Sequence, residues 1–222
     1  MNDIISGMMT GSISAIIMNP IDRAIYISTT KGLSIISKNA WENCYRGTMN
    51  NVFTKLVTSG LYFAFLDNLS STYTPFQTAL ITSFVCNSIT NPIQLVKYHS
   101  WFQNISLNES CRNIYRKYGI CGFGIGFPSI FIRDVCFNYL YITYKKKDDH
   151  FNNLLVISGS LVAVSPFNLI KNKKYGNNES LKQIFQNFKF RQLGISMSIA
   201  RTSVGFYFSQ FLYDFIKKNF LK

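Results

Sequence analysis

The sequence predicts an all-α membrane protein, with six transmembrane helices arranged as three pseudo-symmetric repeats. Three observations predict it. The 222-residue chain is 47 % hydrophobic and only 15 % charged, against about 25 % charged residues in ordinary soluble domains. Apolar stretches of near-bilayer length recur along it. A proline motif repeats at almost constant spacing.

The stretches cover Ile4–Ile25, Val52–Leu69, Phe76–Tyr98, Phe127–Tyr144, Phe151–Ile170 and Ile195–Ile216, each near the ~20 residues that cross a bilayer core. None is uniformly apolar. The first carries Thr10, Ser12, Ser14 and Asn19, and the third carries Thr82, Ser83, Asn87, Ser88 and Asn91. Each therefore has a lipid face and a small polar face, and a bundle of such helices encloses a wet cavity. The modest mean hydropathy of +0.09 follows from this. Gly7-x-x-x-Gly11 suits close packing of the first helix. A soluble helical bundle is the alternative, but six such stretches leave too little polar surface to coat one.

The connections after the first, third and fifth stretches are long and basic, with Lys31, Lys38 and Arg46, then Arg112, Arg116 and Lys117, then Lys173, Lys174, Lys182, Lys189 and Arg191. Basic residues stay on the side from which insertion proceeds, so these loops share one side. An even number of spans then puts both termini on the other.

The internal repeat reads NPIDRAI, NPIQLVK and SPFNLIK, with prolines Pro20, Pro92 and Pro166 spaced 72 and 74 residues apart. Landmark glycines Gly47, Gly126 and Gly194 follow these prolines by 27, 34 and 28 residues, and each opens an even-numbered span. The units run 1–70, 71–147 and 148–222 and together form one transmembrane domain. Proline kinks a membrane helix while neighbours re-satisfy the freed carbonyl. Three such helices converge at one end, and there the motifs place Asp22, Gln94, Lys97, Asn168 and Lys171.

The motifs resemble those of the mitochondrial carrier family, in which three repeats each carry Px[DE]xx[KR] and a later aromatic-basic-glycine motif. The match spans essentially the whole chain. It is closest over Tyr45–Leu69, Ile114–Tyr141 and Ile199–Lys218. The resemblance implies a six-helix bundle and alternating access to one central site. It also implies a mitochondrial inner-membrane location, with the long loops in the matrix and both termini in the intermembrane space. Richness in Asn, Ile, Lys, Phe and Tyr fits an AT-rich genome, such as that of a parasite or a large DNA virus.

The chain also departs from the family pattern. The first motif has Ile25 where the family has a base, and Gln94 and Asn168 replace two acids. By the family's arrangement only Asp22 with Lys97 makes a full matrix-gate pair. Gln94 would hydrogen-bond Lys171, and Asn168 would face Ile25. A readily opening matrix gate is expected. On the opposite side Tyr213-Asp214-x-x-Lys217 matches the family's cytoplasmic gate motif, and Asp67 retains the acid alone.

Carried over from the family, the central contacts are Thr54 and Lys55, Arg133 and Asp134, and Arg201. The residues themselves agree, because an ionisable side chain inside an apolar span marks a functional site by default. The plainer alternative for each arginine is a structural pairing with a carbonyl or, for Arg133, with Asp134. With Lys97 and Lys171, the candidates leave an excess of about three positive charges, which favours a multivalent anion. Arginine forks suit phosphate or carboxylate, and Tyr62, Tyr139, Tyr141 and Phe206 offer stacking surfaces for a base.

The leading function is therefore exchange of a small anionic metabolite, with a nucleotide ahead. An amino-acid-like or carboxylate substrate is the alternative, since Arg133–Asp134 would meet an amino acid's carboxylate and amino group. A non-transporting, carrier-derived scaffold is the other. Membrane lipid, such as cardiolipin at the matrix-side loops, is an expected partner of a monomer. Charge interspersed with long apolar runs argues against nucleic acid.

No cofactor or metal is expected. Cys44, Cys86, Cys111, Cys121 and Cys136 form no CxxC pair and read as reduced thiols. His99 and His150 are isolated. Gly122-x-Gly124-x-Gly126 follows no strand, so it is not a dinucleotide fingerprint. No nucleophile–base arrangement marks an enzyme.

Overall fold

A computed structural model describes residues 2–56, 69, 72–145, 149–188 and 194–220, the side chains of 2–7, 150, 206, 210, 213, 214 and 216–220 excepted. The described residues are helical, without a strand. They form α1 (Asn2–Lys31), α2 (Lys38–Trp41), α3 (48–56), α4 (Pro75–Gln103), α5 (Leu107–Tyr118), α6 (Phe127–Tyr144), α7 (His150–Asn177), α8 (Leu181–Gln186) and α9 (Ile195–Phe220), with a 3-10 turn at Ile120–Gly124 before α6. Asp67 and most of the second expected span lie outside the described residues. The side chains of Tyr213, Asp214 and Lys217 do as well.

Among the described residues, two stretches are long and apolar enough to cross a membrane, Ile120–Tyr144 and Phe151–Asn177. The other long helices are also dotted with Thr, Ser and Asn. In α4 those polar residues point inward. Thr78, Thr82, Ser83, Asn87, Thr90 and Asn91 are buried, while Phe76, Leu80, Phe84 and Ile89 are exposed. Water-soluble proteins show the opposite arrangement.

The three proline helices share one construction. Pro20, Pro92 and Pro166 lie inside α1, α4 and α7, and each helix runs eleven residues beyond its proline, to Lys31, Gln103 and Asn177. They therefore extend past the expected span ends, because the helical pattern continues into polar sequence after the apolar run stops. The next residue in each case is left-handed: Gly32 (φ 69°), Asn104 (φ 56°) and Asn178 (φ 49°). Glycine and asparagine tolerate that conformation and terminate helices with it.

The repeats interlock in cyclic order. Gly47, Gly126 and Gly194 have φ of 76°, 78° and 58°, which disfavours any side chain. A Cβ on Gly47 would lie 3.0 Å from Nε1 of Trp101, one on Gly126 2.5 Å from the Tyr175 ring, and one on Gly194 2.5 Å from Cγ2 of Thr29. Trp101, Tyr175 and Thr29 each lie nine residues after a motif proline. Each landmark glycine thus seats the same position of the next repeat, and the third seats that of the first.

Within a repeat, the residue before the proline ties the unit together. Asn19 Nδ2 donates to the Cys44 carbonyl at 3.0 Å, and Asn91 Nδ2 donates to the Phe123 carbonyl at 2.7 Å. Both carbonyls lie three residues before the landmark glycine. The third repeat has Ser165, too short for this reach, and its hydroxyl turns back to the Val162 carbonyl at 2.8 Å. Around the fold α1 packs on α9, α9 on α7, α7 on α6 and α6 on α4, while α1, α4 and α7 also touch one another.

Candidate functional site

The helices line an open cavity of about 720 Å³. Every residue the sequence assigned to the central contacts or the matrix gate lines it: Thr54, Lys55, Arg133, Asp134 and Arg201, together with Asp22, Gln94, Lys97, Asn168 and Lys171. These come from α1, α3, α4, α6, α7 and α9, so the wall is assembled from all three repeats.

The pairings differ from those expected. Asp22 joins Arg201 rather than Lys97. Arg201 donates Nε to Oδ1 at 2.5 Å and Nη2 to Oδ2 at 2.8 Å, a bidentate clamp between α9 and α1. The planar guanidinium matches both carboxylate oxygens, a geometry that a lysine ammonium cannot reproduce. Lys97 instead donates to Asn51 Oδ1 at 3.2 Å. Gln94 does not meet Lys171; its Nε2 donates to Thr90 Oγ1 on its own helix at 3.4 Å. Asn168 does not face an apolar gap at Ile25, because its Oδ1 accepts from Arg133 Nη1 at 3.4 Å.

Arg133 is also held by its chain neighbour, donating Nε to Asp134 Oδ1 at 2.7 Å with Nη2 2.5 Å from the same oxygen. Both arginine–aspartate pairs keep about a fifth to a quarter of their side-chain surface exposed. They are therefore reachable from the cavity. Thr54 donates its hydroxyl to the Asn50 carbonyl at 2.7 Å.

Five basic and two acidic side chains among these residues leave a formal excess of three positive charges. The two carboxylates are engaged by arginines, so the excess is carried by Lys55, Lys97 and Lys171. Asn87 Nδ2 and Asn172 Oδ1 lie at the wall, buried, with no hydrogen-bond partner among the described residues.

The aromatic residues named from the sequence line the wall only in part. Tyr141 lines the cavity, stacked on Phe137 with ring centroids 6.4 Å apart and planes 11° apart. Arg133, Phe137 and Tyr141 follow at steps of four on α6, so they share a face; that spacing was the available signal for Phe137. Tyr139 falls two residues off this face. It is 40 % exposed on the outside and meets Phe76 edge-on at 6.1 Å. Tyr62 and the Phe206 side chain lie outside the described residues.

A second aromatic group is one that sequence reasoning missed. Tyr26 of α1, Tyr98 and Trp101 of α4 and Tyr175 of α7 gather where the proline helices meet. Tyr98 is central, with ring centroids 4.6 Å from Tyr26, 5.2 Å from Trp101 and 5.6 Å from Tyr175. The repeat held the signal. Tyr26 and Tyr98 lie six residues after their prolines, and Trp101 and Tyr175 nine.

No protein-family model matches the chain, and no curated protein matches it. The resemblance described above therefore rests on the sequence motifs alone.

Proposed function

We propose that the chain is a secondary transporter of mitochondrial-carrier type, which moves a small anionic metabolite, foremost a nucleotide, by alternating access at the cavity. The observation that carries this reading is the cavity wall itself: three repeats contribute charged residues to one shared volume with an excess of three positive charges. The Arg133–Phe137–Tyr141 face of α6 would offer a nucleotide a phosphate fork and a flat apolar surface one helical turn apart.

Six membrane spans and an inner-membrane location belong to the same proposal. Two apolar helices and the inward-facing polar residues of α4 support membrane insertion. The basic connections support a common side for the long loops.

A second reading is favoured by the Arg133–Asp134 contact. An amino acid would offer its carboxylate to the arginine and its ammonium group to the aspartate. A scaffold without transport activity is the third reading, and the mid-cavity charges argue against it, since buried ionisable groups are costly without a task.

The test is uptake by purified protein in liposomes preloaded with nucleotides, amino acids or carboxylates. Exchange of external radiolabelled nucleotide for internal nucleotide is expected. Uptake confined to amino acids would favour the second reading, and none with any solute would overturn transport.

A further inference from the structure

We propose that Tyr98 is a latch at the inner end of the cavity, which an anionic ligand releases by drawing Lys97 and Lys171 off its ring. This rests on the reading of the cavity as an anion site and deepens it.

Both ammonium groups approach the same ring. Lys97 Nζ lies 4.5 Å from the Tyr98 centroid and Lys171 Nζ 4.8 Å from it. Lys97 also stands 4.7 Å from the Trp101 centroid, and Lys171 stands 5.8 Å from that of Tyr175. A cation is held over an aromatic face by the ring's quadrupole, and more strongly where water is scarce. Both nearby carboxylates are already taken, Asp22 by Arg201 and Asp134 by Arg133. Gln94 and Asn168, at the acid positions of the motifs that carry the two lysines, bear no charge. Lys97 keeps one neutral acceptor, Asn51 Oδ1 at 3.2 Å, and the rings supply the rest of what carboxylates would otherwise give these lysines.

Position makes this contact a latch. Tyr98 lines the cavity on one side and on the other packs among Tyr26, Trp101 and Tyr175. Those partners are 2 %, 0 % and 1 % exposed, so the cluster fills the space where α1, α4 and α7 converge. Lys171 fastens α7 to this ring of α4 at its cavity edge, and Lys97, the neighbour of Tyr98 on α4, holds the same ring. An anion attracts the same ammonium groups, and every increment of binding to it comes at the expense of the ring. Ligand binding and opening of the convergence point are thereby coupled through two side chains.

Competition has a measurable sign. Removing the ring face frees the lysines in advance, so the unliganded protein loses stability and gains affinity for anions. A purely structural tyrosine would lose stability without gaining affinity. The phenol hydroxyl plays no part, so Tyr98→Phe should preserve the behaviour.

The experiment measures pyrophosphate binding by calorimetry, and thermal melting, on the purified full chain in detergent. Tyr98→Leu should melt lower than the parent and bind pyrophosphate about tenfold tighter, while Tyr98→Phe should match the parent in both. Tyr98→Met, which keeps volume without a ring, replaces Tyr98→Leu if that variant does not fold, with the same expectation. Unchanged or weaker binding by the ringless variant overturns the latch. So does a Tyr98→Phe variant that behaves like it, or the absence of pyrophosphate binding in every form. A parent chain that binds with the expected ordering yet takes up no solute in liposomes supports the latch and counts against transport alone.

Discussion

Arg201 and Asp22, 179 residues apart in the chain, form a two-pronged ion pair that fastens the last long helix to the first. α1 otherwise meets α9 through contacts such as the Ser14–Ser209 hydroxyl pair at 3.1 Å. The clamp is therefore the strongest polar link across the closure of the fold among the described residues, and it occupies a carboxylate that the motif alone would have given to Lys97.

Asp22→Asn should lower thermal stability, by about 1–3 kcal/mol for a charge-assisted pair that keeps partial solvent contact. The exchanged double variant Asp22→Arg/Arg201→Asp should recover part of the loss. Melting of the three proteins in detergent checks this. No recovery in the double variant would mean that the pair is not the cause.

Arg133 has two acceptors, Asp134 and Asn168, so it bridges α6 to α7 as well as facing the cavity. Arg133→Ala should reduce uptake about 10–100-fold, the worth of a charged hydrogen-bonding group. Asp134→Asn separates the substrate classes. Nucleotide uptake should persist or rise, because a competing carboxylate is gone, whereas amino-acid uptake should fall. Initial rates with the two substrates in parallel decide it.

Gly126→Ala should be among the most damaging single-methyl changes in the protein. The added carbon meets the Tyr175 ring at 2.5 Å and stands on a residue with φ of 78°, and a loss of about 2 kcal/mol or more follows from steric and backbone strain combined. Gly124→Ala, two residues earlier, meets nothing within 4 Å and should be near neutral. Comparing their melting temperatures tests the glycine seat directly.

Asn91 holds two groups at once. It donates to the Phe123 carbonyl at 2.7 Å and accepts from the Tyr175 hydroxyl at 2.5 Å. Asn91→Ala leaves both groups buried and unsatisfied, which should cost about 2–4 kcal/mol. Tyr175→Phe should relieve part of this in the double variant, because the orphaned hydroxyl goes with it. Melting of both variants provides the check.

Much of the architecture was legible because the repeat is written in residue types with narrow roles. Prolines, left-handed glycines and charges within apolar stretches announce themselves at near-regular spacing, and the cavity gathers the residues so marked. Partners were not legible. Whether Asp22 turns to Lys97 or to Arg201 depends on which helix lies across the cavity, and a sequence gives the face of a helix without giving what stands opposite. The partners of Asn168 and Gln94 differ from expectation for the same reason. Tyr98 escaped because aromatic residues are plentiful here and only their distance from the prolines distinguishes the useful ones. Tyr139 shows the converse error, an aromatic residue valued for its type although its angular position on α6 turns it outward.

The seat of Gly194 on Thr29 has a bearing on biogenesis. A ribosome that has delivered only the first two units has produced a row with two loose ends: a glycine shelf at Gly126 awaiting Tyr175, and a threonine awaiting Gly194. Neither end can satisfy the other, since a tyrosine's place and a threonine's place differ in size. Assembly is thus committed late, when the final unit brings both missing counterparts at once.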